Sequence, residues 1–276
     1  MLNEPRNRAA ALVIRNGKLL LIARERDGER YWIVPGGGIE AGEEPIEAAR
    51  RELLEETGLQ AATLELVETL HEYGRTFYYF LADEVTGEPQ LGTEELAKTT
   101  PTNSYRLTWI NQVALARLNL RPLAIRQHCI DLIDTAILRE CLMPAGVTFR
   151  PWRPSDFATI KALSHAEGWT TATYQQDAYV IAWDFSWPRL VAEADGEVIA
   201  FLRALSDGWV STYLAELLVA PAWRGRGVGS TLVEACRQLA WGTRLDVLAA
   251  PTARQFYLNN EFDGFAGFRR QRPYMD

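Results

Sequence analysis

Three carboxylates at helical spacing are the most chemically pointed feature of the sequence. Glu52, Glu55 and Glu56 fall at i, i+3 and i+4 within Arg51-Glu52-Leu53-Leu54-Glu55-Glu56. On a helix all three project from one face. Pro45 suits the first turn of that helix, and Gly58 suits its C-terminal cap. Like charges this close repel unless a cation neutralises them, and hard carboxylate oxygens favour magnesium or manganese. For an isolated cluster of this kind, a solvated acidic helix face is the alternative.

A second feature is the run Arg224-Gly225-Arg226-Gly227-Val228-Gly229, which follows the apolar stretch AELLVAPAW. Glycines let a backbone approach a ligand, and successive N–H groups at a helix start cradle an anion. Arg224 and Arg226 add positive charge. A dinucleotide fingerprint needs its glycines early in a βαβ unit, with an acidic residue at the end of the next strand; here they come late. Glu216 lies among Leu214, Leu217, Leu218 and Val219. A carboxylate in such a strand must be paired, wet or functional. It is a candidate base or half of a structural ion pair.

These groups need elements to hold them. RAAALVIRNGKLLLIAR predicts a hairpin about Asn16-Gly17, residues 76–85 a strand, and Pro122–Glu140 a helix with apolar residues at helical spacing. Pro144 and Gly146 then break the pattern, placing a boundary between domains at 1–144 and 147–276. Strands are expected at Val147–Pro151, Leu190–Ala194, Val198–Leu205, Thr212–Ala220 and Leu245–Leu248. Helices are expected at Val228–Trp241 and Thr252–Asn260, followed by a last β segment. The fold class is α/β (α+β) in two domains.

Composition excludes several functions. The net charge of −7 argues against a nucleic-acid partner. The acidic excess is uneven: residues 1–146 hold 16 Lys/Arg against 22 Asp/Glu, and the remainder 13 against 14. There is no run of 18 apolar residues and no signal-peptide pattern, so no membrane association and a cytoplasmic location are expected. Cys129, Cys141 and Cys236 lack CxxC spacing and are expected to be reduced and buried. The three scattered histidines give no zinc cluster.

The stretch Gly37, five residues, Glu43, seven residues, then Arg51 to Leu59, set behind Pro35-Gly36-Gly37, resembles the complete Nudix box of MutT-like hydrolases. The resemblance covers roughly residues 8–140 and implies an α/β/α sandwich with a loop–helix–loop holding Mg²⁺ or Mn²⁺ against a pyrophosphate. It implies Glu55 and Glu56 as principal ligands, with the Gly36 carbonyl and Glu52 nearby. Glu52 would also be the base for an attacking water, and Arg51 would orient the glutamates. The reaction implied is cleavage of a nucleoside diphosphate linked to a second group. One further ligand commonly comes from a loop; Glu94 is the first choice and Glu95 the second, against an exposed acidic loop. Trp32, Tyr105 and Trp109 could stack on a base or pack in the core. Arg24 and Arg26 could reach phosphates or be surface charges. The extra sequence that marks coenzyme A pyrophosphatases is not visible.

Arg224 to Gly229 resembles the (Q/R)xxGx(G/A) loop of GNAT acetyltransferases, and the strand order over 147–276 suits that fold with its mixed central sheet. The resemblance implies acetyl-CoA as cofactor. Its pyrophosphate would lie on Arg224, Gly225, Arg226, Gly227, Val228 and Gly229, and its pantetheine arm on the backbone of Leu218 and Val219. Tyr257 would be the acid for the departing thiolate, or else a packed tyrosine. The acceptor would be a small-molecule or peptide amine, and a homodimer is one assembly open to it. Two positions depart from the family: Glu261 stands where a glycine is usual, and no asparagine occurs around Ala250–Thr252. An acyl-CoA sensor joined to a hydrolase is the competing function.

Overall fold

The computed structural model describes residues 6–169 and 176–268. The chain divides into two compact units, Met1–Ile137 and Leu138–Asp276. That division falls inside the helix Arg126–Arg139, upstream of the break expected at Pro144 and Gly146. A turn interrupts the backbone, whereas the edge of a unit is set by the core that each side chain joins.

In the first unit, β1 (Arg8–Arg15) and β2 (Lys18–Arg26) form the hairpin. Asn16 and Gly17 both take positive φ, as a two-residue turn of matching twist requires. The sheet runs β3-β2-β1-β6-β5, with β3 (Glu29–Ile33), β5 (Gln60–Glu72) and β6 (Arg75–Thr86). The short β4 (Gly36–Gly38) pairs with the start of β1, and β7 (Asn103–Ile110) pairs with β2. β1 and β6 are parallel.

Helix α1 (Pro45–Thr57) covers one face of the sheet. The short α2 (Thr93–Ala97) and α3 (Gln112–Leu115) precede α4 (Arg126–Arg139), on the other face. Alternate residues of β1 serve the two faces. Ala9, Ala11 and Val13 pack with Ala48, Ala49 and Leu53, while Ala10 and Leu12 pack with Ile125, Cys129 and Ile133. A strand covered on both faces is apolar throughout, hence the run AAALV.

In the second unit, β8 (Thr148–Pro151), β9 (Arg189–Ala194), β10 (Glu197–Ser206), β11 (Ser211–Val219) and β12 (Arg244–Val247) form a sheet of order β12-β11-β10-β9-β8. Only β11 and β12 are parallel, so the sheet is mixed. The helices are α5 (Phe157–Ala166), α6 (Gln176–Asp184), α7 (Val228–Leu239) and α8 (Arg254–Asn259). Trp152, Phe157, Trp183 and Phe201 centre one core cluster. Leu214 pairs with Ala204 and Glu216 with Arg203, which leaves Ala215 without an opposite residue. Such a bulge bends its strand. Pairing between β11 and β12 ends there, at Leu214 and Val247, while β11 continues to Val219.

No strand follows β12 among the described residues, so the last β segment is absent through Phe268; residues 269–276 lie outside them. The three cysteines are buried, and none forms a disulfide among the described residues. Among the described residues no helix is long and apolar enough to cross a membrane.

Candidate functional site

Helix α1 is set by its ends. Pro45 opens it, the Glu44 N–H donates to Glu47 Oε2 (3.3 Å), and Gly58 closes it in the left-handed region with its N–H on the Leu54 carbonyl (2.8 Å). Its apolar face fixes the rotation, which turns the three carboxylates toward the Gly36–Gly38 strand. Arg51 binds this face together. It donates to Glu43 (2.9 and 3.0 Å), Glu52 (2.8 Å), Glu55 (3.0 Å) and the Gly38 carbonyl (3.1 Å).

Glu56 accepts the Gly36 N–H at 2.6 Å. The Gly36 carbonyl accepts from Arg8 Nη2, also at 2.6 Å. Among the described residues no three His, Cys, Asp or Glu side chains meet at one point suited to a cation, because Arg51 spans Glu52 and Glu55 while Glu56 faces Gly36.

The electrostatics still favour a cation. Burial, with the Glu52 and Glu95 carboxylates nearby, pushes the Glu56 carboxyl up to about 8 against the opposing Gly36 hydrogen bond. Burial likewise raises Glu52, against the pull of Arg51. A hard cation relieves both effects, and the donor set is all oxygen. Gly37 is part of the fit: a Cβ there would lie 2.0 Å from Glu52 Oε1.

Glu94 and Glu95 differ in their surroundings. Glu94 is exposed and paired with Lys98 at 2.9 Å, whereas Glu95 is 8% exposed and acts on Glu56. On α2 a step of one residue turns a side chain by about 100°, so adjacent glutamates cannot both face α1. Trp32 and Trp109 are partly buried and pack against the two core clusters, as the packing alternative expects. Arg26 is exposed beside Asp27.

Arg24 lines a cavity of about 640 Å³ together with Arg8, Arg75, Arg121, Tyr31 and Gly36. Gly36 joins the two regions, since it lines the cavity and its N–H meets Glu56. Arg24 donates to the Tyr105 hydroxyl (2.6 Å) and lies over that ring at 4.2 Å. Arg121 lies over Tyr31 at 4.3 Å and pairs with Glu29. Arg75 lies over Phe77, with its Nε buried and unpartnered. Among the described residues no carboxylate lines this cavity. Sequence reasoning missed Arg8, Arg75 and Arg121, which carry no shared spacing.

In the second unit, Gly225 and Gly227 take positive φ and open α7. A Cβ on Gly229 would press on the Phe256 ring at 3.3 Å and on Val219 at 3.4 Å, so this glycine permits close packing of α7. Arg224 donates to the Val219 carbonyl (2.9 Å) and pairs with Glu167 (2.5 Å); Arg226 lies over Trp223 at 4.9 Å. Val228 is buried at the helix start, and Leu218 is buried in the strand. Beyond Leu214, the β12-facing edge of β11 has no strand partner among the described residues as far as Val219.

Glu216 is held by Arg203 Nε at 2.9 Å, which matches the ion-pair alternative. Tyr257 packs edge-on with Phe256 and Phe262, and burial pushes its hydroxyl up to about 12. An acid for a thiolate asks for the opposite shift. Glu261 has φ 63°, so the backbone keeps the conformation that a glycine would suit.

A loop–helix–loop rich in glutamate on a mixed sheet, followed by a glycine loop where two parallel strands part, defines two enzyme-type folds in tandem. The NUDIX domain family model matches residues 5–122, and the Acetyltransferase (GNAT) domain family model matches residues 186–263. The chain thus carries a NUDIX domain followed by a GNAT domain. It is 38% identical over 73 residues to an RNA pyrophosphohydrolase of Bartonella henselae, covering 26% of this chain and 39% of that one. It is 40% identical over 88 residues to an 8-oxo-dGTP diphosphatase of Haemophilus influenzae, covering 29% and 65%. The chain thus spans less than two thirds of either relative. A crystal structure described as a putative GNAT-family acetyltransferase from Xanthomonas campestris aligns with 46% of this chain and 94% of its own, at 26% identity and a TM-score of 0.39.

Proposed function

We propose that the first unit hydrolyses a nucleotide-type pyrophosphate with Mg²⁺ or Mn²⁺, and that the second binds acetyl-CoA and transfers its acetyl group to an amine. The observation that carries the first part is Glu56, a buried carboxylate pressed by Glu52 and Glu95 and adjoining an arginine-lined cavity through Gly36. The relatives' names put nucleotide pyrophosphates first among the substrates to test.

Glu52, Glu55, Glu56 and Glu95 would hold the metal, with the Gly36 carbonyl adjoining; the metal lowers the pKa of water and neutralises the leaving oxygens. Arg8 and Arg75 would hold the phosphates. Water attacks phosphorus, a P–O bond of the anhydride breaks, and the proton of the water passes to Glu52. Burial that raises Glu52 makes it a better base near neutrality. Arg51 keeps Glu52 in place while this happens.

In the second unit, the unpaired edge of β11 would take the amides of the pantetheine arm, and the N–H groups at Gly225–Gly229 its pyrophosphate. A second reading is favoured by two observations. Arg203 occupies Glu216, and Tyr257 is raised rather than lowered. On that reading the unit binds acetyl-CoA as a sensor for the hydrolase. A screen of nucleoside diphosphate derivatives with Mg²⁺, with and without acetyl-CoA, tests both. Hydrolysis supports the first unit's role, and no hydrolysis of any derivative refutes it. Acetylation in a panel of amines selects transfer over sensing. Calorimetric acetyl-CoA binding that Gly227→Asp fails to weaken refutes the glycine-loop site.

A further inference from the structure

The two arginines of the glycine loop are held differently. Arg226 lies over the Trp223 ring and has no ion-pair partner among the described residues. Arg224 is engaged at two atoms: its Nε donates to the Val219 carbonyl (2.9 Å), and its Nη2 meets Glu167 Oε1 at 2.5 Å. The loop itself is open, since a Cβ built on Gly225 or Gly227 would meet nothing within 4 Å. The backbone N–H groups are thus free to take an anion, while the guanidinium beside them already holds a carboxylate.

That carboxylate stands where its charge is disfavoured. Glu167 is the C-cap of α5, at the negative end of the helix dipole. Gly168 in the left-handed region (φ 75°) and the Trp169 N–H on the Ser164 carbonyl (2.8 Å) close this helix end. The Trp169 ring anchors it, lying edge-on to the core residue Phe201 with centroids 6.4 Å apart. A fixed helix end therefore delivers Glu167 to Arg224, its one ion-pair partner among the described residues. We propose that Glu167 is an autoinhibitory group of the cofactor site: its carboxylate stands in for a phosphate on Arg224, and an incoming diphosphate must displace it. The inference rests on the acetyl-CoA reading of this unit. Arg224 is half exposed, so the contact tunes affinity and does not block the site. Acetyl-CoA and the product CoA carry the same diphosphate, so Glu167 favours the release of both.

The test is calorimetry of acetyl-CoA and CoA on the full chain in EDTA, with wild type, Glu167→Gln, Arg224→Gln and the double variant. Glu167→Gln should bind both ligands about two- to fivefold more tightly, the range of an exposed ion pair, and release them correspondingly more slowly in stopped flow. Arg224→Gln should bind both more weakly, and Glu167→Gln added to it should change little. Ligand-free melting temperatures should agree within about 2 °C. Unchanged or weaker binding by Glu167→Gln overturns the proposal. So does an equal gain in the Arg224→Gln background, which marks Glu167 as a distant charge acting without Arg224. Binding by wild type without the gain refutes this inference alone. No binding of either ligand by wild type or Glu167→Gln refutes the acetyl-CoA reading, and this inference with it.

Discussion

Gly37→Ala isolates the position of Glu52 from its chemistry. The added Cβ would meet Glu52 Oε1 at 2.0 Å and its carboxyl carbon at 2.2 Å, against the 3.0 Å below which Cβ contacts essentially never fall. The carboxylate must therefore retreat by about 1 Å. A displacement of that size typically costs on the order of 10²-fold in rate, equivalent to ~2.7 kcal/mol of barrier. Gly37 does not lie in the left-handed region, so alanine brings no backbone strain, and its smaller unfolded-state entropy adds about 0.4–1 kcal/mol of stability. The melting temperature should then change little while Mg²⁺-dependent kcat/KM falls about a hundredfold. Gly38→Ala is the control, since its Cβ would meet only Arg6 at 3.7 Å, and it should keep turnover within about threefold. The assay is release of nucleoside monophosphate from the best substrate of the screen. Wild-type turnover in Gly37→Ala would refute the placement of Glu52 in the reaction; equal loss in both variants would trace the effect to the loop.

Three further outcomes follow from the same geometry. Glu95→Gln should raise the Mg²⁺ concentration for half-maximal rate by about tenfold, whereas Glu94→Gln should not move it; the reverse order in a metal titration would contradict the role of α2. Because Glu56 is raised from 4.5 to about 8, the metal-free fold holds a proton that the unfolded chain releases. Stability from this group is thus full below 4.5 and lost as pH rises through 8, so added Mg²⁺ should raise the melting temperature more at pH 8.5 than at pH 5. A metal effect independent of pH would count against it. Glu261→Gly should stabilise the second unit by about 0.5–1 kcal/mol, since a left-handed non-glycine costs ~1–2 kcal/mol and the entropy of glycine returns part of it. Urea unfolding followed by tryptophan fluorescence checks this, and a lowered midpoint would show that the Glu261 side chain is needed.

What could be read from sequence depended on how local its cause was. Helix α1 is fixed by Pro45, Gly58 and an apolar stripe within 14 residues, so its shared acidic face was legible. The turn at Asn16-Gly17 was legible for the same reason, whereas Glu261 could be marked only because the GNAT resemblance implies a glycine there. The choice between Glu94 and Glu95 depends on the phase of a five-residue helix, which no periodicity reveals. Glu216 could be marked as a problem, but its solution, Arg203, comes from a neighbouring strand. The strands Glu29–Ile33 and Asn103–Ile110 escaped notice because they are short or half-buried and carry arginines. The cavity arginines come from separate strands and loops, and only the pairing of β1 with β6, and of β2 with β3, assembles them.

The most direct measurement is Mg²⁺-dependent hydrolysis by Glu56→Gln beside wild type, on the best nucleotide of the screen, with both melting curves recorded. Glutamine keeps the shape of the protonated carboxyl, so the fold should be as stable as wild type or more so at pH 8, while kcat/KM falls by on the order of 10²-fold or more. A stable Glu56→Gln protein that hydrolyses the nucleotide at the wild-type rate would contradict the assignment of this helix face as the metal and pyrophosphate site.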